Sequence, residues 1–344
     1  MAIVETAHDV LVALTGRYAF SEVAALVGAG ADGLALTTQA AAEVQHLCAF
    51  GQRLLDLDAE DFGLADATVD ANTDTTIADG VGGDAVPAHL RLRALACRMP
   101  QAADERHRGA LGTLRPAYRL LLEVIDAHWR RRETAALVAT IHIASEYAPM
   151  LVWERILGHA GDPALLPTAV AGEGSAWGDF QYRDCPHTKA ERSAAKRVLR
   201  VAQDQQVGWQ SYLDRQHSTT ARALAVCAAE CGRPCTVVTR LSKEDVSTVA
   251  EGCRLALAFV DSPIVRLRHS APVGHGFGVP SPDEVRLAWD RSRRSLSRSG
   301  VDLPDDGFAL PGLPSLFGAF AGVPMPPDTL VADTAAAVRA TLTA

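Results

Sequence analysis

Residues 134–157 read TAALVATIHIASEYAPMLVWERIL, and this stretch decides the fold class. Its apolar side chains recur at the three- and four-residue spacing that is typical of an α-helix. The same spacing recurs in most of the chain after residue 87, namely in 90–97, 111–128, 189–227, 243–260, 282–297 and from 328 onward. The apolar pairs 237–238 and 264–265 are too short to build a sheet. The sequence therefore predicts an all-α protein with a helical-bundle core.

The sequence divides into four predicted segments. Residues 1–55 form an N-terminal extension of two or three short helices, and residues 56–86 form an acidic loop or linker, since positions 56–84 hold nine acidic residues and no basic one. Residues 87–300 form the main helical domain. Residues 301–344 combine a Pro- and Gly-rich wrap over the surface, at 302–327, with a C-terminal helix.

Composition excludes several classes of protein. A net charge of -8 argues against a nucleic-acid groove, which needs a basic face. No apolar run is expected to span a membrane, and the first ten residues do not resemble a signal peptide, so we expect a cytoplasmic protein without a membrane partner. The chain has seven cysteines, an odd number, which favours reduced thiols or ligands over a disulfide framework.

The first candidate site lies within the stretch 134–157. His142 and Glu146 are four residues apart, so both side chains lie on one face of the predicted helix. The residues between them are largely apolar, so His142 either lines a pocket or is a core histidine whose hydrogen bonds are satisfied. Pro149 is expected to kink or interrupt the helix, which often opens space beside a site.

The second candidate is the cysteine series Cys227, Cys231 and Cys235, with Cys253 further on. On one helix these positions would spread over about 12 Å, which is too far for thiolates that share one metal centre. A break at Gly232 or Pro234 could bring Cys235 back toward the others. A zinc or iron-sulfur site therefore stays open beside the alternative of buried structural thiols.

The third candidate combines a histidine with two arginines. Residues 265–269 read VRLRH, and a glycine-rich turn with His275 follows at 274–278. A histidine at a helix end can ligate a metal or haem iron through its imidazole, and Arg266 and Arg268 can meet carboxylates. The alternative is a basic surface turn. No CxxCH motif occurs, so a c-type haem is not indicated.

The fourth candidate is the segment 180–183, which reads FQYR and follows several glycines. An arginine beside aromatic residues suits the capture of a small carboxylate through two parallel hydrogen bonds. Arg183 and Tyr182 are therefore candidates for binding an amino acid.

Taken together and in chain order, three of these segments resemble motifs of the tryptophan 2,3-dioxygenase superfamily. Residues 142–146 (HIASE) resemble its distal-histidine helix, 180–183 resemble its FQxR segment, and 266–269 (RLRH) resemble its RxRH segment. The resemblance covers about residues 134–280 and does not extend to residues 1–85. It implies a helical haem-binding core within residues 87–300.

The resemblance also implies a role for each residue. His269 would be the axial haem ligand, with Arg266, Arg268 and His275 beside the cofactor. His142 would be the catalytic group on the distal side of the haem. Three residues would bind the substrate, namely Arg183, Glu146 and Tyr182. Neither His269 nor His275 is followed by the cysteine of an HxxxC attachment motif, so the cofactor is expected to be non-covalent haem b.

Two departures favour one branch of this superfamily. The glycine-rich turn at 274–278 lacks the GTGG pattern of the dioxygenases, and the three motifs are more closely spaced. The sequence therefore resembles the histidine-ligated haem-dependent aromatic oxygenases of antibiotic biosynthesis. This predicts a homo-oligomeric enzyme that hydroxylates L-tyrosine to L-DOPA with hydrogen peroxide or dioxygen. The alternatives are oxygenation of tryptophan or a derivative and, from another class, a haem-free helical binding protein.

Overall fold

A computed structural model describes residues 2–30, 34, 36–58, 86–170, 186–203, 209–232, 234, 236–270 and 278–344, with only the backbone for 2–6, 198–203, 210, 214 and 270. Within these ranges, the α-helices are Ala2–Thr15 (α1), Phe20–Gly30 (α2), Thr38–Asp56 (α3), Ala88–Cys97 (α4), Gly109–Gly112 (α5), Arg115–Arg131 (α6), Thr134–Leu157 (α7), Leu166–Val170 (α8), Lys189–Gln203 (α9), Trp209–Arg215 (α10), His217–Ala229 (α11), Thr236–Thr239 (α12), Lys243–Val260 (α13), Pro263–Arg266 (α14), Pro282–Ser297 (α15), Leu313–Ala321 (α16) and Leu330–Thr343 (α17). A 3-10 helix, Leu267–Ser270, follows α14. The described residues contain no strand, so the predicted all-α class is confirmed.

Several helices begin where a hydroxyl side chain replaces the missing backbone partner. The side-chain oxygen of Thr37 accepts a hydrogen bond from the backbone N–H of Ala40 at the start of α3. Ser242 does the same for α13. Ser281 and Glu284 form a reciprocal capping box at the start of α15. Caps of this kind each stabilise a helix by about 1 kcal/mol.

One compact unit comprises residues 1–98 and 328–344. Here α3 packs against α2 and α17, and α17 also packs against α1 and α4. Gly51 of α3 allows α2 and α3 to pack closely, because a Cβ at this position would lie 2.7 Å from the ring of Phe20 on α2. Arg93 of α4 binds Asp328 and also Asp333, whose carboxylate lies 2.6 Å away. The C-terminal helix therefore belongs with the N-terminal helices, a grouping that sequence order does not reveal.

The second compact unit comprises residues 99–327, and α7 is its central helix. Helices α6, α11, α13 and α16 all pack against α7. The buried side chains of α7 include Leu137, Ile141, Met150 and Trp153, which is why a helix that is apolar on most of its circumference is stable here. Pro149 does not interrupt the helix, which is continuous from Thr134 to Leu157.

Two other expectations are corrected. The segment 302–327 is not only a surface wrap, because it contains α16, whose Leu313, Phe317 and Phe320 are fully buried. The pattern 189–227 does not form one helix but contributes to α9, α10 and α11. The pairs 237–238 and 264–265 lie in the short helices α12 and α14. The acidic segment falls almost wholly outside the described residues.

Helix α7 also qualifies the expectation that no segment could span a membrane. By length and composition alone, Thr134–Leu157 is long and apolar enough to do so, and 61% of its most apolar window is buried inside the protein. The central helix of a folded core passes the same test, so this observation is weak support for a membrane span.

Candidate functional site

The first feature of the site is a part-exposed face of helix α7 between residues 135 and 147. Part-exposed residues recur along α7 at helical spacing, and we call this set the open face; its members are Ala135, Ala136, Ala139, His142, Ile143, Glu146 and Tyr147. The residues between them, such as Val138, Ile141 and Ala144, are buried. Ile143 is 39% exposed although it is a large apolar side chain. The open face is therefore apolar or small at one end and polar toward Glu146.

His142 and Glu146 lie together on the open face, as the sequence predicts. The Nε2 atom of His142 is 3.1 Å from a carboxylate oxygen of Glu146, and the two side chains are 16% and 42% exposed. Both ring nitrogens of His142 are buried, and neither has a hydrogen bond of good geometry within the described residues. Buried polar atoms are normally satisfied, so this imidazole has capacity for a further partner. Within the described residues, His142 therefore differs from a core histidine whose hydrogen bonds are satisfied.

His269 lies on the 3-10 helix that follows α14, and both of these short elements pack against α7. Helix α14 is held in place by its buried side chains Ile264 and Val265 and by the backbone N–H of Ile264, which donates to the hydroxyl oxygen of Ser292 at 3.0 Å. The imidazole of His269 is exposed. No hydrogen bond or ion pair is seen between it and another described residue. This histidine is therefore accessible to a ligand.

The two arginines beside His269 differ in their surroundings. Arg268 is half-buried, whereas the side chain of Arg266 is 67% exposed and lies 3.9 Å from Asp261. Such a long, exposed pair contributes little to stability, so the guanidinium of Arg266 can bind another anion at small cost. The remaining predicted residues, Tyr182, Arg183 and His275, lie outside the described part of the chain.

Comparison of the chain with protein-family models, with curated proteins and with solved structures gave no match. The assignment of chemistry to this site therefore depends on the residues and their geometry.

A buried polar cluster lies just after the end of α7, and the sequence did not reveal it. Residues 159–162, which we call the sealed loop, follow the left-handed residue Gly158. The carboxylate of Asp162 is 2% exposed and binds Arg108 in two places, at 2.7 and 2.9 Å. The backbone N–H of Asp162 donates to Nδ1 of His159 at 3.0 Å. The two-point ion pair and the hydrogen bond to His159 thus fix this loop.

Two further side chains hold the sealed loop from α10 and α11. The Nε2 atom of His217 is 2.7 Å from the carbonyl oxygen of Ala160, and the hydroxyl of Tyr212 donates to the carbonyl oxygen of Gly161 at 3.0 Å. Burial lowers the pKa of His217 to about 4, so this imidazole is neutral at physiological pH. Burial likewise lowers the pKa of His159.

The cysteine series does not form a metal site within the described residues. Cys227 and Cys253 are buried, Cys231 is half-buried, and Cys235 lies outside the described part. Burial raises the pKa of Cys253 far above its usual range, which disfavours a thiolate ligand. Among the residues with described side chains, no group of three His, Cys, Asp or Glu residues is arranged to hold a metal.

Proposed function

We propose that the protein is a haem-dependent oxygenase that hydroxylates an aromatic amino acid, with L-tyrosine preferred as the substrate. The observation that carries the proposal is the open face of α7, on which an imidazole with spare hydrogen-bonding capacity lies beside a carboxylate. The segment that bears His269 packs against the same helix. The three predicted motifs supply the candidate residues, and two of them fall on these neighbouring elements.

The residues near His269 include the groups that would hold haem b, namely one imidazole and two guanidinium groups. The exposed imidazole of His269 would supply the protein nitrogen that binds the haem iron. Arg266 and Arg268 would pair with the haem propionates. When bound, the haem would supply the redox chemistry.

The residues of the chain would bind and orient the substrate. His142 would accept the hydrogen bond from the phenol O–H of L-tyrosine and take up its proton, which makes the ortho carbon of the ring electron-rich. Glu146 lies 3.1 Å from Nε2 of His142 and would stabilise the imidazolium that results. Arg183 and Tyr182 would hold the carboxylate end of the amino acid, by analogy with the FQxR segment.

The overall reaction balances with hydrogen peroxide as the oxidant. One ring C–H bond of L-tyrosine becomes C–O–H, one O–O bond of peroxide is cleaved, and the second oxygen leaves as water. The carbon is oxidised by two electrons and the peroxide is reduced by two. With dioxygen in place of peroxide, two further electrons and two protons from a reductant would be needed for the same product.

Product analysis tests the proposal. The purified protein, supplied with haem, is incubated with peroxide and either L-tyrosine or L-tryptophan, and the products are separated by chromatography. We expect L-DOPA from L-tyrosine. N-formylkynurenine or an oxindole from L-tryptophan, with L-tyrosine unchanged, would move the protein to the tryptophan branch. A protein that retains no haem and converts neither amino acid would contradict the proposal and support a haem-free binding protein.

A further inference from the structure

Tyr147 is a polar aromatic residue on the open face of α7 that the sequence motifs do not include. It is half-buried, one position after Glu146 and one helical turn after Ile143. Its ring centroid lies 5.2 Å from that of His217, with the planes tilted by 53°. Tilted aromatic contacts at this distance are favourable and fix the orientation of the ring. One side of the Tyr147 ring thus rests on the interior while the residue remains partly exposed.

His217 provides a rigid support beneath Tyr147. Its side chain is fully buried, and Nε2 must carry its proton because the partner at 2.7 Å is the carbonyl oxygen of Ala160. The ring of Tyr212 lies 5.7 Å away from the same imidazole. Gly161, with φ of +75°, passes so close that a Cβ there would lie 3.0 Å from Nε2 of His217. The imidazole therefore has little freedom to move.

His217 is also costly to bury. Its Nδ1 atom is inaccessible and has no hydrogen-bond partner within the described residues. A buried polar atom without a partner destabilises the fold. An apolar side chain at position 217 would avoid this cost, although it would lose the bond to Ala160. Such departures from good packing are expected where function requires them.

We propose that Tyr147 contacts the aromatic ring of the bound amino acid, and that His217 is a positioning residue which holds the Tyr147 ring toward it. The inference rests on the proposed function, since it assigns a further substrate contact to the same open face. In this arrangement His142 and Glu146 meet the ring heteroatom, and the Tyr147 ring packs against the substrate ring. A flat aromatic side chain suits that contact because ring–ring packing selects aromatic amino acids over aliphatic ones.

The test is the affinity of the haem-loaded protein for L-tyrosine, measured by difference absorption spectra or calorimetry. Tyr147→Ala should weaken binding about 10-fold, as expected for one lost aromatic contact. Tyr147→Phe should bind within about 2-fold of the wild type, since it keeps the ring. Tyr118→Phe is the control for the loss of a hydroxyl beside α7, because Tyr118 is 1% exposed and its hydroxyl donates to the carbonyl oxygen of Ala144.

A pair of variants at position 217 separates positioning from stability. Both His217→Phe and His217→Leu lose the hydrogen bond to Ala160, so both should lower the melting temperature. Only His217→Leu also loses the aromatic support, so only this variant should weaken L-tyrosine binding, by about 3- to 5-fold. Equal affinities for the two variants would contradict the positioning role, and so would wild-type affinity in Tyr147→Ala.

The Tyr147 variants test the substrate contact even if neither variant at position 217 folds. Tyr147 is half-buried, so its replacement should be tolerated. Failure of the proposed function gives a different result. In that case the wild-type protein itself would bind no haem or would bind neither L-tyrosine nor L-tryptophan.

Discussion

The open face of α7 and the sealed loop each place a histidine beside a carboxylate, yet their surroundings are opposite. On the open face, His142 lies 3.1 Å from the part-exposed carboxylate of Glu146. In the sealed loop, His159 accepts the backbone N–H of Asp162, and both side chains are buried. Proximity of the two residue types therefore does not distinguish a structural pair from a functional one.

The two regions differ in whether other groups of the protein already form hydrogen bonds with the histidine and the carboxylate. Arg108 and the backbone N–H of Ala164 bind the Asp162 carboxylate, and the carbonyl of Ala160 binds His217. Burial lowers the pKa of both His159 and His217, so these rings remain neutral and serve as fixed hydrogen-bonding groups. His142 has no such set of partners within the described residues, so the fold there does not use its hydrogen-bonding capacity.

The largest expected effect is the loss of the ion pair between Arg108 and the buried carboxylate of Asp162. Asp162→Ala should lower the free energy of unfolding by about 3–5 kcal/mol, because Arg108 would lose its buried partner and the sealed loop its anchor. Urea denaturation measures this. The control is Asp261→Ala, which removes an exposed partner of Arg266 at 3.9 Å and should cost about 0.5 kcal/mol or less. Equal losses in the two variants would contradict the contrast between sealed and open regions.

The next largest effect is a loss of turnover when His142 on the open face is replaced. His142→Ala should lower the rate of L-DOPA formation about 100-fold, since the proton acceptor for the phenol is lost. The same variant should change the free energy of unfolding by about 1 kcal/mol or less, because His142 makes no well-formed hydrogen bond that stabilises the fold. Steady-state kinetics and urea denaturation together test this. A large loss of stability with unchanged turnover would show that His142 has a structural role, like His159 and His217.

A third effect is the pH dependence of stability from His217. Its pKa is about 4 in the folded protein, against about 6.5 when unfolded, so the unfolded chain binds more protons between these values. This contribution to stability is therefore complete above pH 6.5 and is lost as the pH falls toward 4. From pH 7 to pH 5 the loss should be about 2 kcal/mol.

Carboxylates with lowered pKa values, such as Glu191 and Asp333, act at more acidic pH and do not account for a loss above pH 5. The His217→Phe variant is the control, since it should lose most of the dependence on pH over this range. His159 titrates in the same direction and would leave a smaller remainder. An unchanged slope in His217→Phe would show that the buried imidazole is not the source.

The smallest expected effect is that of Glu146 on stability. Glu146→Gln should change the free energy of unfolding by about 0.5 kcal/mol or less, because its carboxylate is part-exposed and pairs with His142 only across one helical turn. Urea denaturation at pH 7 checks this. A loss of more than about 2 kcal/mol would mean that the pair belongs to the core.

The helices that the sequence predicts well are those with strong apolar periodicity. Thr134–Leu157, Lys243–Val260 and Pro282–Ser297 begin and end where the pattern does. Helix α16 was missed because its Pro314 and Gly318 are typical of loops, and its stability comes from burying Phe317 and Phe320 in the core. Proline is compatible with the first turn of a helix, so Pro314 does not by itself argue against a helix here.

In the site, too, the sequence predicts contacts within one helix but not contacts between residues that are far apart in the chain. His142 and Glu146 are neighbours on one helix, so their proximity follows from spacing alone. Arg108 and Asp162 are 54 residues apart in the sequence, and His217 is 57 residues from Ala160, so no local pattern connects them. Tyr147 lies within the predicted helix, but only the packing of α11 against α7 shows that an aromatic ring supports it.

The most direct test of the central claim is the absorption spectrum of the purified protein after haem supplementation. We expect a strong Soret band in the wild type, loss of most of it in His269→Ala, and its retention in His89→Ala, which removes another exposed histidine from the other compact unit. Full haem occupancy with an unchanged spectrum in His269→Ala would contradict the assignment of the axial ligand. A wild-type protein without any Soret band would contradict the haem enzyme itself.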